Sequence, residues 1–283
     1  RHPETDFYTS SSLAGGIFGR LVRAAAVNIL APEKPERFTL IEIGAESGTG
    51  IFGEERGPFA RTETRRLGES LTPPPQSVIF ANEWLDAQPF HRLVYRRGAW
   101  RELGVRVDGE VLVEVELAEI STPAKILLQD LPSETTEDYH LDISLDAELR
   151  LRELATAPWK CGLMLADYGH DWATLARERP GGTARAYHQH QVSDDLLAQP
   201  GEQDLTCHVC WDRLEKILRE SGFIDVRVER QEAFFIKHAA GEIEKILAQN
   251  AGQFSRERQT LLELLHPAHF GQKFQMLSAR RNT

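Results

Sequence analysis

The chain has 283 residues, with 33 lysines and arginines against 43 aspartates and glutamates, a formal charge of −10. A composition of 41% hydrophobic and 27% charged residues is that of a folded globular protein and excludes collagenous, low-complexity and coiled-coil chains. The acid excess is not the basic footprint of a nucleic-acid binder, and no apolar run approaches the roughly 20 residues that cross a bilayer.

In chain order, Leu13, Ile17, Phe18, Leu21, Val22 and Ala25 recur at helical spacing, which predicts a helix over 13–30 that stops at Ala31-Pro32. The apolar, β-branched run Phe38–Ile43 predicts a buried strand, and a glycine loop, Gly44-Ala45-Glu46-Ser47-Gly48-Thr49-Gly50, follows at once. Thr62–Leu67 is a weaker strand and Ser77–Ala81 a strong one, launched after three prolines. One or two helical turns are expected over Asn82–Gln88, stopped by Pro89. Residues 91–95, 100–107 and 111–117 alternate apolar and polar side chains, as in an antiparallel meander turning at Asp108-Gly109. A helix is predicted over 145–154, a strand over 162–166, and a long irregular connection over 179–203. Helices over 211–221, 242–249 and 256–265 and strands over 223–228 and 273–279 complete the pattern. Buried strands alternating with helices imply an α/β domain on a mostly parallel sheet, with residues 91–160, meander plus helix, inserted into it.

Three places carry chemistry. The glycine loop after the first strand lets a ligand approach the backbone, with free N–H groups beyond it for an anion and with Glu42 placed to orient the loop or accept from a ligand amine. The same residues also make an ordinary tight turn. Asn82, Glu83 and Asp86 follow a central strand, where open α/β sheets bind ligands. On a helix, Glu83 and Asp86 would share a face and could grip a cation; helix capping by Asn82 accounts for the same pattern. Asp167-Tyr168-Gly169 ends another central strand, either as a polar edge or as a turn. No metal site is expected. Cys207-His208-Val209-Cys210 lacks the second pair of ligands that zinc requires, and reads better as strand with His208 oriented by hydrogen bonds. His188, His190, Asp194 and Asp195 have no compelling ligand spacing.

Taken together, these segments resemble the MidA family of class I S-adenosylmethionine-dependent methyltransferases, the group that includes the mitochondrial complex I assembly methyltransferase. The residues that carry the resemblance are Asp6-Phe7-Tyr8-Thr9-Ser10 with Phe18-Gly19, then Glu42-Ile43-Gly44 with Gly48-Thr49, Asn82 to Pro89, Trp100-Arg101-Glu102, Ala166 to Gly169, Gly182 to Tyr187, and Pro200 to Val209. The resemblance implies a Rossmann-like, seven-stranded methyltransferase sheet filling one domain over 1–283, shortened at its N-terminus. It implies S-adenosyl-L-methionine as methyl donor and a protein arginine as acceptor, by family analogy in a respiratory complex I subunit. The cofactor would lie on Glu42, Gly44, Ala45, Gly48, Glu69 and Asn82. Glu83 and Asp86 would orient the acceptor, with Asn82 bridging to the cofactor, while Asp167, Tyr168, Gly169, Thr206 and His208 line the acceptor side. With three cysteines and no secretory leader, the expected compartment is the bacterial cytoplasm, or the mitochondrial matrix in a eukaryote. One departure opens a second reading. Glu46 stands where the family has a loop glycine, so a member that has lost the cofactor and serves as a protein-binding or assembly module fits the same residues. A small-molecule methyltransferase is a third, since the fold hosts many substrates.

Overall fold

The computed structural model describes residues 10–45, 50–53, 57–66, 68–189, 191–250, 255–266, 271 and 273–281. Helix α1 spans Ser10–Leu30, and five of its predicted apolar positions, Ile17, Phe18, Leu21, Val22 and Ala25, are buried. Three strands follow, β1 (Thr39–Ile43), β2 (Arg61–Arg65) and β3 (Gln76–Asn82). Next come β4 (His91–Arg96), β5 (Ala99–Asp108), β6 (Val111–Glu116) and β7 (Tyr139–Ile143). Helix α2 (Leu145–Thr156) leads into β8 (Lys160–Asp167), the short β9 (Gly169–His170) and α3 (Trp172–Arg177). Then β10 (Arg185–His188), β11 (Gln191–Ser193), β12 (Asp204–Thr206) and β13 (Val209–Cys210) precede α4 (Trp211–Glu220). The chain closes with β14 (Ile224–Arg230), α5 (Gln231–His238), α6 (Ala240–Gln249), α7 (Arg256–Leu265) and β15 (Gln275–Arg281).

The central sheet has the order β14-β15-β8-β3-β1-β2. Strands β2, β1, β3 and β8 pair in parallel, and β15 runs antiparallel to both β8 and β14. The sheet is therefore mixed and mostly parallel, with six described strands rather than the expected seven. Between β2 and β3 the chain runs through Pro73-Pro74-Pro75, which have no N–H to give a ladder.

The strands bury both faces. Leu40, Val78, Phe80, Met164 and Met276 pack under α1 and α5–α7, while Ile41, Ile79, Ala81, Leu163, Leu165 and Leu277 pack under α2 and α4. This period-two partition is why the strands read as continuous apolar runs. The predicted meander is a separate antiparallel sheet of order β6-β5-β4-β7, with its own core of Leu93, Leu141, Ile143, Ala124, Leu127 and Leu175. The stretch over 179–203 differs from the irregular connection expected: β10 pairs antiparallel with β11 and with β12 to make a three-stranded sheet. Its strands are three or four residues long and lie among Gly, Pro and Asp, so they carry no readable alternation.

Two further details tie neighbouring elements together. Buried Asp142 on β7 accepts Arg92 Nε at 2.9 Å on one oxygen, and the N–H groups of Thr183 and Ala184 at 2.7 and 2.8 Å on the other. Gly182 is needed beside it, since it has φ 68° and a Cβ there would stand 2.3 Å from Asp142 Oδ2. On the far edge, the Arg281 guanidinium lies against Trp159 and Phe223 and donates to the carbonyls of Ala155, Ala157 and Trp159.

Candidate active site at the carboxyl edge

From β1 the chain goes to β2 on one side and then returns to β3 on the other, so the sheet order reverses between β1 and β3. Such a switch point opens a crevice beyond the strand ends, where α/β sheets bind ligands. Ile43 lies level with Arg65 and Ala81, and Asn82 with Ala166, so the loops after β1, β3 and β8 leave the sheet side by side.

The loop after β1 is braced by its own strand. Gly44 takes φ 82°, a left-handed conformation suited to glycine, and its N–H donates to Arg65 O at 2.9 Å. Glu42 is buried, and its Oε2 accepts Ile51 N–H at 2.9 Å, tying the far end of the loop back to β1. Ala45 is half-buried beside Gly44. Glu46 and Gly48 lie outside the described residues. Glu69 is exposed on the turn beyond β2, where its Oε2 accepts Arg66 N–H at 2.9 Å.

The segment after β3 is not the expected helix. Glu83 has φ 48°, and the chain bends instead of winding, so Glu83 and Asp86 do not share a helical face and no helix starts at Asn82. Asn82 closes β3, and its Nδ2 donates to Glu83 Oε1 at 2.8 Å. Glu83 N–H is held by Ala166 O at 2.9 Å, which pins the bend to β8. Beyond it, Trp84, Leu85 and Asp86 turn inward and are buried.

Asp167 shapes this bend. One of its oxygens accepts Leu85 N–H at 3.0 Å and Asp86 N–H at 3.3 Å, and the other accepts Tyr168 N–H at 2.9 Å. Both side chains are buried, and Asp86 Oδ1 has no hydrogen-bond partner among the described residues. Burial pushes the Asp86 carboxyl up to about 7. Burial also raises Asp167, and the charges of Asp86 and Glu83 add to that. Burial and the same carboxylates raise the phenols of Tyr168 and Tyr187, which keeps both neutral.

Next to Tyr168 stands a pair of imidazoles. The His208 ring stacks on Tyr168 with centroids 6.2 Å apart, and His170 lies 5.0 Å from His208. His208 N–H donates to Thr183 Oγ1 at 3.2 Å. Its ring Nδ1 has no partner among the described residues. Burial, then His170, Arg179 and Arg185, push His208 down to about 4.

Residues 66–228 match a family model described as "Putative S-adenosyl-L-methionine-dependent methyltransferase". The chain belongs to this methyltransferase family. Among curated proteins, this family member is similar to a fly protein arginine methyltransferase NDUFAF7 homolog, mitochondrial (Drosophila melanogaster), 30% identical over 71% of the chain and 46% of the fly protein. The mouse protein arginine methyltransferase NDUFAF7, mitochondrial, is 29% identical over 70% of the chain and 44% of its own length. The chain thus spans less than half of either relative in these matches. A crystal structure of a COG1565 superfamily member from Burkholderia thailandensis, bound to S-adenosyl-homocysteine, superposes with a TM-score of 0.79 over 98% of this chain and 79% of that one, at 20% identity. That likeness shows a shared fold. Among the described residues, no helix is long and apolar enough to cross a membrane.

Within this family member, the fold gathers Glu42, Gly44, Asn82, Glu83, Asp86, Asp167 and Tyr168 along one edge. Gly169 is buried in packing, since a Cβ there would come within 2.5 Å of Trp211 Nε1. Thr206 lies on β12 opposite Arg185. Glu102 is structural: its carboxylate accepts from His91 Nδ1 at 2.6 Å and from Ser121 N–H at 2.5 Å, inside the inserted sheet. Two residues that the sequence does not single out also lie here: His170, which directly follows Asp167-Tyr168-Gly169 and sits against His208, and Tyr187, on which Asp86 and Glu83 act and which falls in a stretch that reads as an irregular loop.

Proposed function

We propose that this chain catalyses S-adenosyl-L-methionine-dependent methyl transfer to an arginine guanidinium of a protein, and that a complex I subunit is the first acceptor to test. The observation that carries this reading is the buried carboxyl group of Asp86, with Oδ1 free of partners among the described residues, beside Glu83 at the switch point of a methyltransferase sheet. The curated relatives named as protein arginine methyltransferases support the acceptor class.

The described residues fit the cofactor. Gly44 turns left-handed out of β1, Glu42 already holds the loop through Ile51 N–H, and Asn82 faces the same crevice from β3. Gly44, Ala45, Gly48 and Asn82 would hold the cofactor, with Glu69 at the ribose. When bound, S-adenosyl-L-methionine supplies an electrophilic methyl on a sulfonium sulfur.

The chain's own work is orientation and proton handling. A guanidinium remains protonated at neutral pH. Glu83 accepts from its N–H groups and fixes its plane. When a guanidinium nitrogen gains a methyl it sheds one proton, and Asp86 Oδ1 can take it, because a carboxyl titrating at about 7 is matched to that transfer. Asp167 keeps Leu85 and Asp86 in place through its three backbone bonds. Tyr168 and His208 wall the acceptor side and exclude water.

The test is calorimetry with S-adenosyl-L-methionine, followed by mass spectrometry of an arginine peptide incubated with it. Micromolar binding and a 14-dalton gain on arginine, the mass of one CH₂, support the reading. Absence of heat at millimolar cofactor leaves a protein-binding module; a methylated small molecule with unmodified peptide replaces the acceptor class.

A further inference from the structure

Tyr168 has two different neighbourhoods. The charges of Glu83 and Asp86 reach its phenol, while its ring stacks on His208. The second neighbourhood holds groups that the methyl-transfer chemistry leaves unused. His170 and His208 sit ring to ring at 5.0 Å, and a buried nitrogen of each, His170 Nε2 and His208 Nδ1, has no hydrogen-bond partner among the described residues. Interiors seldom leave such atoms unmatched, and two together mark a place built to receive a ligand.

Geometry adds positive charge to the pair. The Thr183 hydroxyl that fixes His208 N–H stands two residues before Arg185 on the way into β10. Arg185 reaches the exposed Asp194 at 3.0 Å, a partner that solvent can displace. Arg179 follows α3, with its N–H on Tyr139 Oη and its side chain exposed. Arg179 and Arg185 act on His208, and Arg179, Asp171 and Glu178 act on His170. Asp171 is already engaged, since it caps α3 through Thr174 N–H at 2.7 Å. The charged groups acting on His208 are thus all cationic, while the carboxylates Asp171 and Glu178 act on His170, in a chain whose net charge is −10.

We propose that His170, His208, Arg179 and Arg185 form a subsite for a carboxylate side chain of the acceptor protein, so that the preferred acceptor is an arginine with an aspartate or glutamate nearby in its sequence. This rests on the arginine reading and deepens it. One side of Tyr168 takes the cation and the other takes the neighbouring anion, and that dipole fixes the direction in which the segment lies.

The test is calorimetry on the full chain, saturated with S-adenosylhomocysteine, using peptides that carry arginine with flanking glutamate, arginine with flanking glutamine, and citrulline with flanking glutamate. The glutamate peptide should bind about tenfold more tightly than the glutamine peptide, the yield of one charge-assisted contact. His208→Phe keeps an aromatic ring against Tyr168 and should erase that difference while S-adenosylhomocysteine affinity stays within about twofold. Arg179→Met, at an exposed position, should reduce the difference without loss of folding. Equal affinity of both arginine peptides for the unmodified chain, or a preference that survives in both variants, overturns the subsite. A citrulline–glutamate peptide that binds as tightly as the arginine–glutamate peptide, both more tightly than the arginine–glutamine peptide, supports the subsite and removes the arginine reading.

Discussion

Asp167 accepts the backbone N–H of Asp86 at 3.3 Å, so one buried acid is positioned by another. The donor set of Asp167 is complete, with Leu85 and Asp86 on one oxygen and Tyr168 on the other. An asparagine presents an acceptor on one branch only and must turn its NH₂ toward an N–H on the other. Asp167→Asn is expected to lose about 2 kcal/mol of stability, on the scale of one unmatched buried group. Calorimetry at pH 7.5 should show a Tm lower by roughly 4–8 °C.

Asp86 makes stability depend on pH in a definite direction. Its folded carboxyl titrates at about 7, against about 3.9 in an unfolded chain. Between those values the folded state binds more protons than the unfolded one, so this residue's contribution is fully present below about pH 4 and declines as pH rises to about 7. Asp86→Asn removes the dependence. Melting temperatures across pH 5–8 should fall less steeply for the variant than for the parent, and identical slopes would refute the assignment.

In the proposed mechanism Glu83 is the carboxylate that meets the acceptor. Glu83→Gln keeps the side-chain length and the oxygen that Asn82 uses, but loses the charge. The expected result is a fall in kcat/KM for an arginine peptide of roughly 100-fold, the scale of one general acid–base or charge-assisted contact. Affinity for S-adenosyl-L-methionine, read by calorimetry, should change less than threefold. Normal turnover in the variant would remove Glu83 from the mechanism.

Much of the fold is legible in the sequence, and the reasons differ by element. Phe38–Ile43 and Ser77–Ala81 are readable because a strand buried on both faces is apolar at most positions rather than at alternate ones. The meander is readable because one face of an antiparallel sheet is wet, which leaves alternation in Trp100–Val107. The helix expected over Asn82–Gln88 fails because Asn, Glu and Asp favour the first turn of a helix and equally favour bends; the tertiary contact that decides between them, Ala166 O on Glu83 N–H, is distant in sequence. For the same reason Asp167 reads as a ligand-facing acid, since nothing local shows that its partners are the N–H groups of Leu85 and Asp86 some 80 residues earlier. The placement of Asn82, Glu83 and Asp86 at the carboxyl edge is legible by position alone, and carboxyl-edge loops of such sheets are where ligands sit.

Glu42 offers a test of the loop that follows β1. Its carboxylate is the acceptor for Ile51 N–H, and Gly50, at φ 65°, passes so close that a Cβ would stand 2.0 Å from Glu42 Oε2. Glu42→Ala should free the far end of the loop and weaken S-adenosyl-L-methionine binding about tenfold, a loss equivalent to one charge-assisted hydrogen bond. The comparison is a calorimetric titration of parent and variant.

Arg281 should matter for stability alone. Its guanidinium joins the ends of α2 and the β8 approach to β15 through the carbonyls of Ala155, Ala157 and Trp159, against the rings of Trp159 and Phe223. Arg281→Ala is expected to lower the Tm by roughly 4–8 °C, for about 2 kcal/mol of lost bonds and ring contact. Cofactor affinity should be unaltered at temperatures well below the melt.

The Asp142 carboxylate joins the inserted sheet to Thr183, and Thr183 in turn sets the backbone of His208. A lineage that remodels the insertion therefore also resets the geometry beside Tyr168. The two regions must drift in concert, and a chimera that grafts a foreign 91–143 segment onto this sheet should inherit the donor's taste in substrates along with its architecture.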